Sequence, residues 1–235
     1  MKSARAVLFF LFPLFVMVSV QALPRVNTQR AKYQALAARV HGGDLNIDWQ
    51  ALRVAAELSN AAHGFDMRAA AKRSLAALQA GRYDDALLAA REMQAHNLAD
   101  VEGHSLAASA LTHLGRAAEA KQERAILDAL TQSILRSGDG KSAKSAFFTV
   151  NSREEYIVLH QLLQVTPTGQ RLEHGNGHNY DAIAGKNAAG RDVIFWFNAD
   201  TNMQKELDRQ DNNVSAMGDP THEDPAEPED TKNPN

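Results

Sequence analysis

GRYDDA at residues 81–86 recurs as GRAAEA at residues 115–120, an offset of 34 residues. In each copy a glycine stands where one helix would end, because glycine adopts a left-handed turn at little cost. Acidic residues follow near the start of the next helix, where the helix dipole favours negative charge. Each copy ends in alanine, a small residue with the strongest helix propensity. The repeated stretch therefore predicts two successive helical hairpins.

Helical periodicity extends on both sides of this repeat. Amphipathic spacing predicts helices at residues 67–80, 84–95, 101–114 and 117–136, with two more upstream at residues 27–40 and 48–58. Asp48 is the expected N-cap of the helix at 48–58. The period resembles that of the tetratricopeptide repeat, which needs roughly three copies for stability, so the flanking segments are expected to act as caps. The alternative is an ordinary helical bundle with an accidental repeat.

Apolar side chains recur at helical spacing through the four hairpin helices and predict one core-facing stripe. The stripe comprises Leu75, Leu78, Leu87, Met93, Leu106, Leu111, Leu114, Ile126, Leu127 and Leu130. Hydrophobic residues make up 44% of the 235 residues, and much of that share is alanine. The helices are therefore expected to approach one another closely.

The pattern changes after SGDGKS at residues 137–142. The glycines end the long helix, and shorter segments with alternating polarity follow. We expect a strand at residues 146–150, a helix at 152–163, strands at 170–173, 180–184 and 193–198, and a short helix at 203–209. The predicted fold class is α+β, with N-terminal tetratricopeptide-like helical hairpins followed by a small mixed strand/helix module.

The chain divides into four expected regions. These are a signal peptide at residues 1–22, a helical repeat-like region at 23–137, the mixed module at 138–209, and a disordered acidic, proline-rich tail at 210–235. From residue 211 onward there are seven acids against one lysine and almost no large apolar residue, so the tail is not expected to order itself. The body is near neutral and offers no electrostatic footprint for nucleic acid.

The N-terminus has the pattern of an export signal. Lys2 and Arg5 precede an apolar run at residues 6–18, and we expect cleavage after Ala22. The alternative is an uncleaved anchor, but a spanning helix needs roughly 20 apolar residues, and this run is shorter and contains Pro13. There is no cysteine, which excludes a lipid-anchored lipoprotein, disulfides and thiol catalysis. The expected product is periplasmic or secreted, without a membrane span.

EHGNGHNYD at residues 173–181 is the stretch with the most varied chemistry. His174 and His178 are candidate metal ligands, since histidines flanked by carboxylates can bind zinc or a similar ion. A histidine beside a carboxylate also serves as a general base. Tyr180, Asp181 and Glu154 complete the candidate ligand contacts. The alternative, a flexible hairpin turn with exposed polar residues, is favoured because the glycines allow the distances between the candidate ligands to vary. We assign no catalytic residue, and no cofactor is expected.

Two segments resemble a nucleotide-binding and a calcium-binding motif but lack residues that these motifs require. GKS at residues 140–142 lacks the first glycine of a phosphate-binding loop, because Leu135 stands in its place. Its predicted context, a helix before and a strand after, is the reverse of that loop's context. Asp139 followed by Gly140 lacks the alternating oxygen ligands and closing glutamate of a calcium loop. The segment is better explained as a helix end and a turn.

Two further groups have a functional and a structural interpretation. Glu154 and Glu155 are a candidate carboxylate pair, but adjacent residues on a helix point about 100° apart, so helix-start electrostatics is preferred. Phe195, Trp196 and Phe197 are a candidate sugar-stacking platform. Alternate strand residues face opposite sides, which instead predicts the two phenylalanines in the core and Trp196 on the other face.

Several motifs together resemble domain-of-unknown-function family 4919, a family of exported bacterial proteins. They are DWQALR at residues 48–53, SGDGKS at 137–142, EEY at 154–156, GHNYD at 177–181 and WFN at 196–198. The resemblance extends over nearly all of the expected mature chain except the acidic tail. It implies helical repeats followed by a small mixed module, and it implies no activity.

Two functions fit these observations. The first is a non-enzymatic interaction protein whose helical hairpins bind a protein or peptide partner, since such hairpins offer one face as a binding surface. The second is a small-ligand or metal-binding protein, or a hydrolase-like enzyme, that uses residues 173–181. A shallow exposed groove would favour the first function, and a deep polar pocket between the two halves would favour the second.

Overall fold

The computed structural model describes residues 22–207, so the expected signal peptide, apart from its last residue, and the acidic tail lie outside it. The helices are α1 (Ala22–His41), α2 (Trp49–Leu58), α3 (Met67–Gln79), α4 (Tyr83–His96), α5 (Val101–His113), α6 (Ala117–Leu135), α7 (Ser152–Ile157) and α8 (200–207). The strands are β1 (Phe147–Phe148), β2 (Thr166–Gly175), β3 (His178–Lys186) and β4 (Asp192–Asn198). No helix within residues 22–207 is long and apolar enough to cross a membrane.

The two hairpins, α3–α4 and α5–α6, repeat with the predicted period. The helices α5 and α6 begin 34 residues after α3 and α4 respectively. Gly81 and Gly115 turn the chain at the same φ of +72°, a conformation that glycine adopts without strain. Arg82 and Arg116 each form an ion pair with an acid of the following first turn. The α+β fold class with N-terminal tetratricopeptide-like hairpins is confirmed.

Small side chains fill the space between the hairpin helices. Ala70, Ala77, Ala86 and Ala110 are almost completely buried, and the Ser74 hydroxyl in α3 donates to the Ala86 carbonyl at 2.8 Å. The face of α3 that carries alanine and serine is therefore its inward face. The predicted core position of Leu75 is wrong, since this side chain is 50% exposed.

The two upstream helices cover the far end of α6. Asp48 caps α2 as predicted, because its carboxylate accepts the Ala51 N–H at 2.8 Å. Trp49 and Leu52 of α2 pack in one core with Ile126 and Leu130 of α6. The helix α6 therefore belongs both to the second hairpin and to the cap, which explains its length of 19 residues.

The C-terminal part is a four-stranded mixed sheet of order β1-β4-β3-β2. The strands β2, β3 and β4 are antiparallel, and β1 pairs with β4 in parallel. One face packs on the end of α6 and on the helical turn Val158–Leu162 that follows α7, through Ile134, Val158, Ile183 and Phe197. Phe197 is fully buried, and strand alternation places Trp196 on the opposite face, as predicted.

Residues 173–181 form the tip of a long hairpin, as the turn interpretation predicts, but the turn itself is shorter than this stretch. The strands β2 and β3 reach to Gly175 and His178 and leave a turn of two residues, Asn176 and Gly177. Both turn residues have positive φ, 54° and 80°, as in a type I′ turn, which matches the twist of the strands it joins. Conversely, the predicted strand at 146–150 shrinks to β1, because Asn151 already caps α7.

Candidate functional site

Arg53 of α2 lies fully buried where the helices meet the sheet module. Its guanidinium donates to Glu154 of α7 twice, from Nε to Oε1 at 2.8 Å and from Nη2 to Oε2 at 2.7 Å. It also donates to the Ser133 hydroxyl at 3.0 Å and to the Phe148 carbonyl at 2.8 Å. Glu154 accepts the Val150 N–H as well, at 2.9 Å. Both carboxylate oxygens of Glu154, a predicted ligand contact, are thus engaged by the protein itself.

Further ion pairs close the same junction. Arg153 of α7 binds Asp100 at 2.9 Å and Glu102 at 2.6 Å. Glu57 of α2 pairs with Lys205 of α8. The free space between these side chains is about 10 Å³. The described junction is therefore filled by charged side chains rather than open as a deep polar pocket.

Glu155 is a buried acid on the inner face of the sheet, beside the buried Asp181. Burial, and then the charge of Asp181, raise the pKa of Glu155 to about 8. The Thr149 hydroxyl donates to Oε1 at 3.5 Å, and within residues 22–207 the other oxygen, Oε2, has no partner. At neutral pH the Glu155 carboxyl is therefore protonated and uncharged. Helix-start electrostatics alone does not account for this glutamate.

His178 and Asp200 form a hydrogen-bonded pair at the end of the sheet. The distance from His178 Nδ1 to Asp200 Oδ2 is 2.6 Å. Partial burial opposes ionisation of Asp200, but hydrogen bonds from the Asn179 N–H and from His178 lower its pKa. With Nδ1–H directed at the carboxylate, Nε2 of the 53% exposed His178 side chain faces solvent. This is the orientation that a general base needs.

The structure does not bring the predicted metal ligands together. Strand register pairs His174 with Asn179, whereas His178 pairs with Gly175, so the two histidines lie on opposite faces of the sheet. His174 Nδ1 lies 3.1 Å from the Asn179 amide oxygen. Within residues 22–207 no three His, Cys, Asp or Glu side chains are grouped to hold a metal ion.

Tyr180 lies on the same face as His178, in an aromatic strip along the sheet. Its ring meets those of His178 and Trp196 edge-on, at 6.3 Å between centroids in each case. The Arg171 guanidinium lies 5.8 Å above the Trp196 ring, a cation–π distance. Of the five predicted contacts, His178 and the buried Tyr180 share one face of the sheet, while His174 and Asp181 lie on the other face.

A second buried charge cluster, which was not predicted, lies inside the second hairpin. His104 of α5 places Nδ1 at 2.6 Å from a Glu123 carboxylate oxygen and Nε2 at 2.8 Å from the Leu98 carbonyl. Each ring nitrogen therefore lies within hydrogen-bond distance of an oxygen atom. Burial opposes ionisation of Glu123, but the hydrogen bond and charge of His104 lower its pKa. The cluster fastens α5 to α6 and leaves no free group for a ligand.

An open groove of about 530 Å³ lies between the start of α2 and the second half of α6. We call it the α2–α6 groove. Its α2 wall is formed by Ile47, Asp48, Trp49 and Gln50, and its α6 wall includes Asp128, Gln132 and Arg136. The sequence contained a signal for the α6 wall, because these three polar residues are spaced by four and share one helix face.

The chain was compared with protein families, curated proteins and solved structures. A family model described as Domain of unknown function (DUF4919) matches residues 66–208. No curated protein and no solved structure matches the chain. The match begins at the N-cap of α3, so α1 and α2, including DWQALR at residues 48–53, lie outside it. It covers more than half of the chain, both hairpins and the whole sheet. The protein therefore belongs to the family described as Domain of unknown function (DUF4919).

Proposed function

We propose that the protein is an exported interaction protein that binds a peptide or protein segment through its helical region. The observation that carries this proposal is the α2–α6 groove, an open concavity of about 530 Å³ with an apolar and a polar wall. Its volume lies in the range of known ligand sites, roughly 300–1,000 Å³. The filled junction between helices and sheet, with about 10 Å³ of free space, also favours binding at a surface over catalysis in a cleft.

The binding test uses one blocking variant and one matched control. Gln132 is exposed and lines the groove, whereas Lys121 is exposed on α6 outside it. A Gln132→Trp variant fills the groove without touching the core, so it should lose partners that the wild-type chain captures from a periplasmic extract. A Lys121→Trp variant should retain them. Capture of the same partners by all three chains would refute a binding role for the groove.

Export rests on the N-terminal pattern of Lys2, Arg5 and the apolar run at residues 6–18. We expect the chain, expressed in a bacterial host, to appear in the periplasm or medium with Leu23 as its first residue. Mass spectrometry of the intact recovered protein measures this directly. Recovery of the whole chain from the cytoplasm would contradict the proposal.

A second candidate function is a small-ligand binder or hydrolase-like enzyme at His178. The observation that favours it is the 2.6 Å hydrogen bond between His178 and Asp200, which orients a histidine toward solvent. A panel of activated esters tests it, with Asp200→Asn compared with the wild-type chain. Asp200→Asn should reduce turnover at least about tenfold if the pair acts as a general base. Turnover that is absent, or equal in both chains, would leave only the structural role of the pair.

A further inference from the structure

We propose that the α2–α6 groove binds an extended peptide segment that carries one acidic and one basic side chain four residues apart. This inference rests on the proposed binding function and adds the chemistry of the bound segment. It assigns Arg136 to the acidic side chain and Asp128 to the basic side chain.

The first step is the state of the two charges. Asp128 and Arg136 both line the groove. Within residues 22–207 neither side chain has a hydrogen-bond or ion-pair partner, although most other arginines of the hairpins do. Arg73, Arg82, Arg91 and Arg116, for example, each pair with an acid. The α6 side of the groove therefore presents one unpaired cation, Arg136, and one unpaired anion, Asp128, opposite the Asp48 carboxylate that caps α2.

The second step is their separation. Asp128 and Arg136 are eight residues apart on α6, with Gln132 midway between them. At 1.5 Å per residue their positions along the helix differ by about 12 Å. That distance is too large for a direct ion pair, so both charges stay available. It is also too large for one carboxylate or one amine to reach both of them.

The third step is the match with an extended chain. Side chains on one face of an extended peptide recur every second residue, and each residue advances about 3.3 Å. Residues i and i+4 therefore lie on the same face and about 13 Å apart, close to the spacing on α6. The Gln132 amide, halfway along, both donates and accepts hydrogen bonds and lies where it can meet the peptide backbone. The half-buried Ile47, with the small exposed part of Trp49, provides apolar surface for the segment's other side chains.

The experiment measures the affinity of three labelled peptides for the full chain by fluorescence anisotropy. The peptides share an uncharged sequence and differ at positions i and i+4, which hold Lys and Glu, two Lys, or two Glu. The wild-type chain should bind the Lys/Glu peptide about fivefold more tightly than the other two, the effect of two exposed ion pairs. Moving the two charges to positions i and i+2 should remove this advantage.

Charge-reversal variants turn the prediction into a change of preference. Arg136→Glu leaves three acids in the groove, one of them Asp48, and should make the two-Lys peptide the tightest binder. Asp128→Lys leaves two bases and should make the two-Glu peptide the tightest. Both residues are on the surface, so neither change disturbs the core. Lys121→Glu, a charge reversal on α6 outside the groove, should leave the wild-type ranking intact.

Two results would overturn the inference. One is an unchanged ranking of the three peptides in both reversal variants, and the other is the absence of measurable binding of any peptide to the wild-type chain. The proposed function fails by a different result, namely equal capture of partners by the wild-type chain and by Gln132→Trp. A partner lost with Gln132→Trp but bound with either charge reversal would leave the groove in use and refute only the charge pattern.

Discussion

Three buried ionisable residues, Arg53, His104 and Glu155, bear directly on stability. Arg53 and His104 each lie against a carboxylate and have their nitrogens directed at acceptors. Glu155 instead lies beside another acid and keeps one oxygen unpaired within the described residues. Removing one partner from such a group leaves the other charge buried and uncompensated, which is strongly unfavourable.

Glu155 should make the stability of the protein depend on pH. Its pKa is raised from an ordinary 4.5 to about 8 in the folded chain, so the folded state holds the proton more tightly than the unfolded state. The stabilisation is present below about pH 4.5 and is lost as the pH rises through about 8. Glu155→Gln, which cannot ionise, should be more stable than the wild-type chain at about pH 8 by roughly 2–4 kcal/mol.

Urea unfolding at about pH 5 and about pH 8 measures this difference. The two chains should have similar stability at the lower pH and diverge at the higher one. Parallel dependence of both chains on pH would mean that Glu155 ionises normally in the folded protein.

Arg53→Met should destabilise the protein by about 3–5 kcal/mol, because it leaves the Glu154 carboxylate buried without its cation. The double variant Arg53→Met, Glu154→Leu is the matched control. It removes both charges and should recover much of the loss, since an apolar pair of similar volume often replaces a buried ion pair without cost. Thermal or urea unfolding gives both values, and equal loss in the single and double variants would exclude an uncompensated charge as the cause.

At the scale of the element, features encoded by neighbouring residues were predictable from sequence. The hairpin turns at Gly81 and Gly115, the Asp48 cap and the fold class follow from local patterns and are confirmed. The length of β1 and the extension of β2 and β3 were not predicted, because pairing between strands depends on contacts distant in sequence. The predicted core position of Leu75 is wrong for a related reason. The helix α3 has a second face, lined by alanine, and this face packs inward instead.

Gly115→Ala should destabilise the second hairpin by about 1 kcal/mol. The cause is conformational, because a side chain would be strained at φ +72°, while no atom lies within 4 Å of the position of its Cβ. Gly175→Ala is the control, since that site is equally open but has an ordinary φ; its effect should stay within about 0.5 kcal/mol. Unfolding midpoints of the two variants make the comparison, and similar losses would show that glycine's backbone freedom is not what matters at residue 115.

For the whole molecule, the candidate site was harder to predict than the fold. His178 and Tyr180, two of the predicted contacts, lie next to each other on one face, but Asp200, which orients His178, lies 22 residues away in sequence. The five predicted contacts separate because β-strand alternation divides them between two faces and because Glu154 binds Arg53. The α2–α6 groove depends on two helices that are far apart in the chain, so only one of its walls had a sequence pattern.

The family match begins after α2, whereas the fold includes α1 and α2. This difference can be tested. Residues 66–208 match the family, but the guanidinium that neutralises Glu154 comes from α2, outside the match. A chain trimmed to residues 66–208 should therefore lose cooperative unfolding, or lose several kcal/mol of stability. Glu154→Leu in the trimmed chain should restore part of it. Circular dichroism during urea unfolding measures both, and a trimmed chain as stable as the whole would contradict the assigned role of Arg53.

Arg53 also has a consequence for the order of folding. Its carboxylate partner is 101 residues further along the chain, whereas each hairpin closes between adjacent helices. Local contacts form early, and contacts between distant residues slow the crossing of the barrier. We expect the hairpins to assemble first, with α2 docking only after α7 is in place. Until α2 docks, its wall of the groove is not in contact with α6. The α2–α6 groove should therefore form only late in folding.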